Sequence, residues 1–213
     1  VITRSKPGNN IELTIDRNIQ TRAEEIISKL ISDFKGVSGS FIVQEPKTGK
    51  ILAMGALPNF DPNDYSLSKI ESFINPNVQS IYEPGSVFKV ITMAAGIDTG
   101  AITPETKYYD KGEVTLNGRT IRNADLKSHG TLTMTNVLEK SLNTGSVFAE
   151  QKTGNKEFLS YVKAFGIDSK TKIDLPGEIS GSLEQLEKKD TRDINFATAS
   201  FGQGVSMTPL QLI

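Results

Sequence analysis

The densest apolar run of the 213-residue sequence is Ser86-Val87-Phe88-Lys89-Val90-Ile91-Thr92-Met93-Ala94-Ala95-Gly96-Ile97. The run is apolar almost all round at helical spacing, which predicts a helix in the middle of a domain. A single charged residue, Lys89, interrupts it. Because a charge among apolar side chains is costly without a partner or a task, Lys89 is the first candidate for a functional residue.

Ser86 opens this predicted helix, directly after Tyr82-Glu83-Pro84-Gly85. The first turn of a helix offers unpaired N–H groups and the positive end of the dipole, which favour an alkoxide or an anionic intermediate. Lys89 follows on the same face, close enough to exchange a proton with the Ser86 hydroxyl. Its apolar neighbours disfavour the ammonium form, so the pair predicts a serine nucleophile with a lysine base. A lysine that snorkels from a semi-exposed helix is the alternative.

The Ser-x-x-Lys spacing is not specific by itself. It also occurs at Ser32–Lys35, Ser66–Lys69, Ser160–Lys163 and Ser169–Lys172. Those four pairs lie in polar, amphipathic or loop segments, where a solvated lysine is the simpler interpretation. The apolar surroundings of Lys89 therefore distinguish the Ser86–Lys89 pair from the other four pairs.

Ser141-Leu142-Asn143 is a second candidate element, placed between two helical patterns. The Ser141 hydroxyl could relay a proton to a leaving group, and the Asn143 carboxamide could orient a substrate amide. Both residues are also good helix caps and turn formers, and by itself the segment favours that structural role.

Composition excludes several other classes of site. The 24 Lys and Arg residues nearly balance the 25 Asp and Glu residues, so we expect no nucleic-acid partner. Without cysteine there is no thiolate zinc site and no Cys nucleophile. A Ser-His-Asp triad would need His129, which stands beside Gly130 where a solvated turn is expected. No apolar stretch reaches the length of a membrane span.

The remaining patterns predict an α+β architecture around an antiparallel sheet. Asp16 caps a helical pattern that runs to about Phe34, and residues 39–45 and 50–56 form a predicted hairpin. Asn117-Gly118 predicts a second hairpin between residues 113–116 and 119–121. Further helices are expected near residues 133–140, 144–153, 155–165 and 191–199, and residues 57–85 are expected to be irregular.

These segments together resemble the transpeptidase domain of class B penicillin-binding proteins. Residues 82–89 resemble the first active-site motif of that family, and Ser141-Leu142-Asn143 its second motif, in the right order. Other segments also resemble the family: Leu13-Thr14-Ile15-Asp16, Pro46 to Met54, Leu175-Pro176-Gly177-Glu178, and Phe201-Gly202-Gln203-Gly204 through Gln211. The implied fold is that of penicillin-binding proteins and serine β-lactamases, with an all-helical subdomain. The implied activity is a D,D-transpeptidase that cross-links peptidoglycan stem peptides, is acylated by β-lactams, and requires neither a metal nor an organic cofactor.

The resemblance also implies roles for single residues. Ser86 would be the nucleophile and Lys89 its base, with the Ser86 N–H as half of the oxyanion hole. Ser141 would help the leaving group, and Asn143 would bind the substrate amide and contact Lys89. The family's third motif, Lys-Thr-Gly or Lys-Ser-Gly, is expected after Ile213. Lys47-Thr48-Gly49 falls in a hairpin turn and Lys152-Thr153-Gly154 closes a helix, so neither is expected to be catalytic.

Residues 1–213 are therefore expected to form a partial transpeptidase domain without its C-terminal strands, with residues 86–166 as the largely helical active-site region. The resemblance implies a membrane-anchored parent with an extracytoplasmic catalytic domain, and divisome or elongasome membrane proteins and a glycosyltransferase as partners. The alternatives are a D,D-carboxypeptidase or β-lactamase, a β-lactam-sensing module, and an inactive scaffold. The segments Leu13-Thr14-Ile15-Asp16 and Thr208-Pro209-Leu210-Gln211 argue against the carboxypeptidase and the β-lactamase.

Overall fold

The structure is a computed structural model that describes residues 8–213 and divides into two compact units. Unit 1 comprises the residues up to Asn77 together with Ile213, and unit 2 spans Val78–Leu212. In chain order the elements are α1 (Arg17–Phe34), β1 (Gly39–Gln44), β2 (Ile51–Leu57), α2 (Pro76–Gln79), α3 (Lys89–Asp98), β3 (Lys107–Asp110), β4 (Glu113–Leu116), β5 (Arg119–Arg122), β6 (Gly130–Thr133), α4 (Met134–Glu139), α5 (Asn143–Thr153), α6 (Asn155–Ala164), α7 (Glu184–Glu187), α8 (Asp193–Ala199) and α9 (Pro209–Leu212). Short 3-10 turns occupy Tyr65–Leu67, Ile70–Phe73 and Gly85–Phe88.

Unit 1 is built from α1 and the antiparallel pair β1–β2. The Asp16 carboxylate accepts hydrogen bonds from the N–H groups of Asn18 and Ile19, which stabilises the first turn of α1. Gln20 exchanges two hydrogen bonds with the backbone of Met54, so the helix is tied to β2. The predicted helix and hairpin are confirmed.

Unit 2 is mainly helical, and α5 is its central element. It packs against α3, α4, α6 and α8 and against β3 and β5. The apolar core forms three clusters, the largest of which includes Phe88, Phe158 and Phe196. Gly145 in α5 allows the closest approach, since a Cβ there would lie 2.3 Å from a methyl group of Val137.

The strands of unit 2 form two separate antiparallel pairs, β3–β6 and β4–β5. The hairpin predicted at Asn117-Gly118 is confirmed, with both residues at positive φ. The pair β3–β6 was not predicted, because strands of four residues carry little periodicity and Lys107 pairs with the distant Thr133. The α+β class is confirmed, although the described strands form three two-stranded sheets instead of one.

The helix predicted from Ser86 differs from expectation in two ways. Its first turn is a 3-10 turn, and the α-helix begins only at Lys89. The helix was expected in the middle of a domain, but one of its faces is uncovered, since Val87 is 52% and Val90 62% exposed. Contacts with α5 and α6 cover one side of α3 only.

A glycine turn supports the 3-10 turn that carries Ser86. The Gly85 N–H donates to the Gly202 carbonyl at 3.1 Å, and the Gly204 N–H donates to the Glu83 carboxylate at 2.8 Å. A Cβ at Gly202 would lie 2.2 Å from the Gly85 carbonyl oxygen. The chain next to Ser86 is therefore held by a backbone contact that only glycine permits.

Gly202→Ala is expected to lower the free energy of unfolding by ~1–3 kcal/mol more than Gly204→Ala, because a methyl group at residue 202 must displace backbone. The two glycines have similar φ, 79° and 76°, and a Cβ at Gly204 meets nothing closer than 3.7 Å. Urea unfolding of both variants measures the difference. Equal losses would show that φ alone, and not the contact with Gly85, requires glycine.

Candidate active site

Ser86 lies in the 3-10 turn Gly85–Phe88 with its side chain exposed. The preceding Gly85 has φ 63°, which turns the chain so that Phe88 packs into the core while Ser86 stays at the surface. The Ser86 carbonyl accepts a hydrogen bond from the Lys89 N–H. The turn therefore fixes the backbone of Ser86 and leaves its hydroxyl accessible.

Lys89 is the unusual residue of this region, since it is 1% exposed. Its Nζ donates to the Ser141 carbonyl at 2.6 Å and to the Ser141 hydroxyl at 3.1 Å. Between residues 8 and 213 no carboxylate lies within ion-pair distance of this ammonium. Burial lowers the pKa of Lys89 from 10.5 to about 8, so that a neutral amine is accessible near physiological pH.

The other four Ser-x-x-Lys pairs provide an internal comparison. All of their lysines are exposed, and Lys163 forms an ion pair with Glu187. Of the five pairs, all within the part of the chain that the structure describes, the one at Ser86 alone has a buried lysine. The prediction that the other four lysines are solvated, whereas Lys89 is surrounded by protein, is confirmed.

Ser141 connects α4 to α5 in a conformation that few non-glycine residues adopt. Its φ is 53°, in the left-handed region. Leu142, which is 2% exposed, anchors the connection in the core, and its N–H donates to the Val137 carbonyl at 3.0 Å. This geometry turns the Ser141 carbonyl and hydroxyl together toward Lys89, and the two hydrogen bonds from Nζ support the strained backbone.

Asn143 is the first residue of α5, and its side chain points to the neighbouring hairpin. Its Nδ2 donates to the Arg122 carbonyl at 2.9 Å, at the end of β5. The expected contact between Asn143 and Lys89 is not formed, because the β5 carbonyl takes the amide and Ser141 takes the lysine. The structure thus brings Lys89 and Ser141 together and places Asn143 on the adjacent wall.

Among the hydrogen bonds of the described residues, none joins the Ser86 hydroxyl to Lys89 Nζ. The lysine is instead held by Ser141, while Ser86 is exposed in the 3-10 turn that precedes α3. Hydrogen bonds of catalytic groups are often formed only once substrate is bound. The arrangement is a buried amine that donates to the Ser141 hydroxyl, while the exposed Ser86 hydroxyl belongs to the residue three positions earlier in the chain.

A buried carboxylate that the motif search missed fixes the start of α5. Asp110 is fully buried and accepts hydrogen bonds from the Thr144 hydroxyl at 2.8 Å and from Asn123 Nδ2 at 2.9 Å. The N–H groups of Gly112 and His129 also donate to it. Thr144 directly follows Asn143, so this network holds the second motif in place. The Asp-Lys-Gly sequence at residues 110–112 signals a turn but gives no sign of burial.

The remaining candidates have structural positions. His129 Nε2 pairs with Asp125 at 2.8 Å. Lys47-Thr48-Gly49 forms the turn between β1 and β2, and Lys152-Thr153-Gly154 ends α5, as predicted. Among the described residues no group of three or more His, Cys, Asp or Glu side chains could hold a metal ion. Nor does the part of the chain from residue 8 onward contain a helix with the length and apolar character of a membrane span.

Asp110→Ala is expected to lower the free energy of unfolding by ~3–5 kcal/mol, because it removes a buried acceptor shared by donors from four residues and leaves the N–H groups of Gly112 and His129 without this partner. Asp190→Ala, at an exposed position, is the matched control and is expected to change stability by less than ~0.5 kcal/mol. Chemical unfolding of both variants measures the difference. A loss below ~1 kcal/mol for Asp110→Ala would contradict a central role for this network.

Comparison with known proteins supplies an independent test of the fold and the family. The family described as "Penicillin binding protein transpeptidase domain" matches residues 39–213. The chain is 37% identical over 214 residues to stage V sporulation protein D of Bacillus subtilis, covering 99% of this chain and 33% of that protein. It is 31% identical over 210 residues to peptidoglycan D,D-transpeptidase FtsI of Escherichia coli K12, covering 99% and 35%. The chain thus spans about a third of the length of these curated relatives.

Solved structures agree with the sequence relatives. The transpeptidase domain of Burkholderia pseudomallei penicillin-binding protein 3 superposes with a TM-score of 0.82 at 27% identity, covering 97% of this chain and 57% of that one. A peptidoglycan glycosyltransferase from Burkholderia ambifaria gives the same TM-score at 28% identity, covering 94% and 58%. The predicted fold is confirmed by these matches. By sequence and by structure, the chain belongs to the transpeptidase-domain family of the class B penicillin-binding proteins.

Proposed function

We propose that this chain is part of a peptidoglycan D,D-transpeptidase in which Ser86 is the nucleophile and Lys89 the general base. The observation that carries the proposal is the amine of Lys89, three residues after the exposed Ser86. This amine is buried, has no ion-pair partner within residues 8–213, and donates to Ser141. The names of the relatives support the same reaction. A lysine without a counter-ion in a dry site costs stability, and the use of its neutral form as a base accounts for its presence.

The first half of the reaction would acylate Ser86. Its Oγ attacks the penultimate carbonyl of a stem peptide that ends in D-Ala-D-Ala, and its proton passes to Lys89 Nζ. The Ser86 N–H stabilises the oxyanion of the tetrahedral intermediate. When the intermediate collapses, the proton returns through the Ser141 hydroxyl to the leaving nitrogen, and D-alanine departs. Asn143 orients the substrate amide.

The second half would transfer the acyl group. An amine from a neighbouring stem attacks the Ser86 ester, loses its proton to Lys89, and forms the cross-link while the serine hydroxyl is restored. β-Lactams mimic the terminal dipeptide and acylate the same oxygen. None of these steps requires a metal or an organic cofactor.

The proposal extends to the parts of the protein around this chain. We expect a third motif, Lys-Thr-Gly or Lys-Ser-Gly, on a strand beyond residues 1–213. Val90 and Ile97 form an exposed apolar face of α3, which supports a further element packed on that side of the helix. A membrane anchor, an extracytoplasmic catalytic domain, and divisome or elongasome proteins with a glycosyltransferase as partners belong to the same proposal.

A fluorescent penicillin tests the catalytic assignment in the full-length protein. Stable labelling is expected for the wild type, none for Ser86→Ala, and labelling at least ~100-fold slower for Lys89→Met. Ser160→Ala and Lys163→Met, at an exposed pair with the same spacing, are the controls and should label like the wild type.

Four results would change the assignment. Labelling of Ser86→Ala, or no labelling of the full-length wild type, contradicts the assignment of Ser86 as the nucleophile. Rapid release of hydrolysed drug indicates a β-lactamase. Stable labelling without transfer to an added stem-peptide amine indicates a sensor.

A further inference from the structure

A groove of about 490 Å³ lies beside Asn143 in unit 2, and its walls are unusual in charge. Arg119, Arg122 and Arg192 line it, and none of its twelve lining residues is acidic. This bias contrasts with the chain as a whole, which carries a net charge of −1. The groove is therefore a local positive region on a nearly neutral protein, where an anionic ligand would be attracted.

Nearby acidic side chains leave most of this charge unpaired. Glu113 lies 2.9 Å from Arg122, but both side chains are more than half exposed, so the pair is weak. Within residues 8–213 no ion pair involves Arg119 or Arg192. Asp193, next to Arg192, accepts instead a hydrogen bond from Asn155 at 3.0 Å. Two guanidinium groups are thus available for a ligand.

The floor and walls of the groove suit a peptide. Its floor contains Ile121, Ile194 and Phe201, each at most 8% exposed and all members of one packed apolar cluster. Its walls carry four side-chain amides, at Asn143, Gln185, Asn195 and Gln203. Amides can donate to and accept from peptide groups, whereas a rigid apolar floor excludes water beneath the ligand.

Two residues that line the groove belong to segments that also contact the proposed reaction centre. Asn143 follows the Ser141-Leu142 connection that receives Lys89, and Gln203 belongs to the glycine turn that holds Gly85. One lining residue thus lies close in sequence to the partner of Lys89, and the other lies next to the glycine that bonds Gly85. A ligand in this groove would reach Asn143 with one end.

We propose that this groove binds a carboxylate-bearing peptidoglycan stem peptide, with Arg119 and Arg192 pairing with its carboxylates. The inference rests on the proposed transpeptidase function and adds a binding subsite to it. Guanidinium groups match carboxylates with two parallel hydrogen bonds, which gives both affinity and orientation. The carboxylates belong to either the acyl donor or the acyl acceptor, and the two sources share this chemistry.

The test compares stem peptides with free and with amidated side carboxylates in a cross-linking assay of the full-length protein. For Arg119→Gln and Arg192→Gln, KM for the free-carboxylate peptide is expected to rise ~10-fold or more, with a much smaller change in kcat. With amidated peptides the variants and the wild type should have the same KM. Amidating the donor peptide and the acceptor peptide one at a time identifies which of the two peptides the groove binds.

Arg22→Gln is the matched control, since it removes an exposed arginine from α1, where Arg22 pairs with Glu25. It is expected to leave both KM values unchanged. Penicillin labelling separately reports whether Ser86 and Lys89 are functional. If labelling fails in the wild type, the proposed function fails; if labelling persists, the outcome of the peptide comparison decides the groove.

Two results would overturn the groove assignment. The first is the same rise in KM for free and for amidated peptides, which would mean that the arginines do not recognise carboxylates. The second is loss of penicillin labelling in the groove variants, which would mean that these side chains act through the reaction centre itself.

Discussion

The amine of Lys89 is the constraint on which this site depends. It lies in the protein interior without a carboxylate partner in the described chain, and its hydrogen bonds go to the carbonyl and the hydroxyl of Ser141. A charge in such a position is unfavourable, so its pKa falls to about 8. At pH 7 about one molecule in ten then carries the neutral amine, which is the form that the proposed general-base role requires.

The surrounding structure holds this unfavourable arrangement in place. Ser141 keeps a left-handed backbone because Leu142 is anchored in the core and Lys89 Nζ donates to the Ser141 carbonyl. Asp110 ties the start of α5 to β3 and to the loop that follows β5. On the other side of the site, the close contact of Gly202 with Gly85 fixes the turn that exposes Ser86. Strain and burial near Lys89 are thus compensated by rigid contacts within unit 2.

The sequence was sufficient to single out Lys89 and to predict several elements of the fold, but not the contacts between distant segments. Lys89 could be identified because it interrupts an apolar helix, and the structure buries it. The capped helix α1, the hairpin at Asn117-Gly118 and the α+β class followed from local periodicity and turn chemistry. The pair β3–β6, the Asp110 network and the direction of Asn143 depend on contacts between distant segments, which a single sequence does not encode locally.

The pH dependence of acylation tests the central claim most directly. The rate constant for acylation of Ser86 by a β-lactam, measured on the full-length protein, should rise about tenfold per pH unit and level off above a midpoint near pH 8. His129→Gln and Glu150→Gln should keep that midpoint; Glu150 is the control because burial and nearby Asp193 raise its pKa to about 7. A rate that still rises up to the ordinary lysine pKa of 10.5, or one that does not change with pH, would contradict Lys89 as the base.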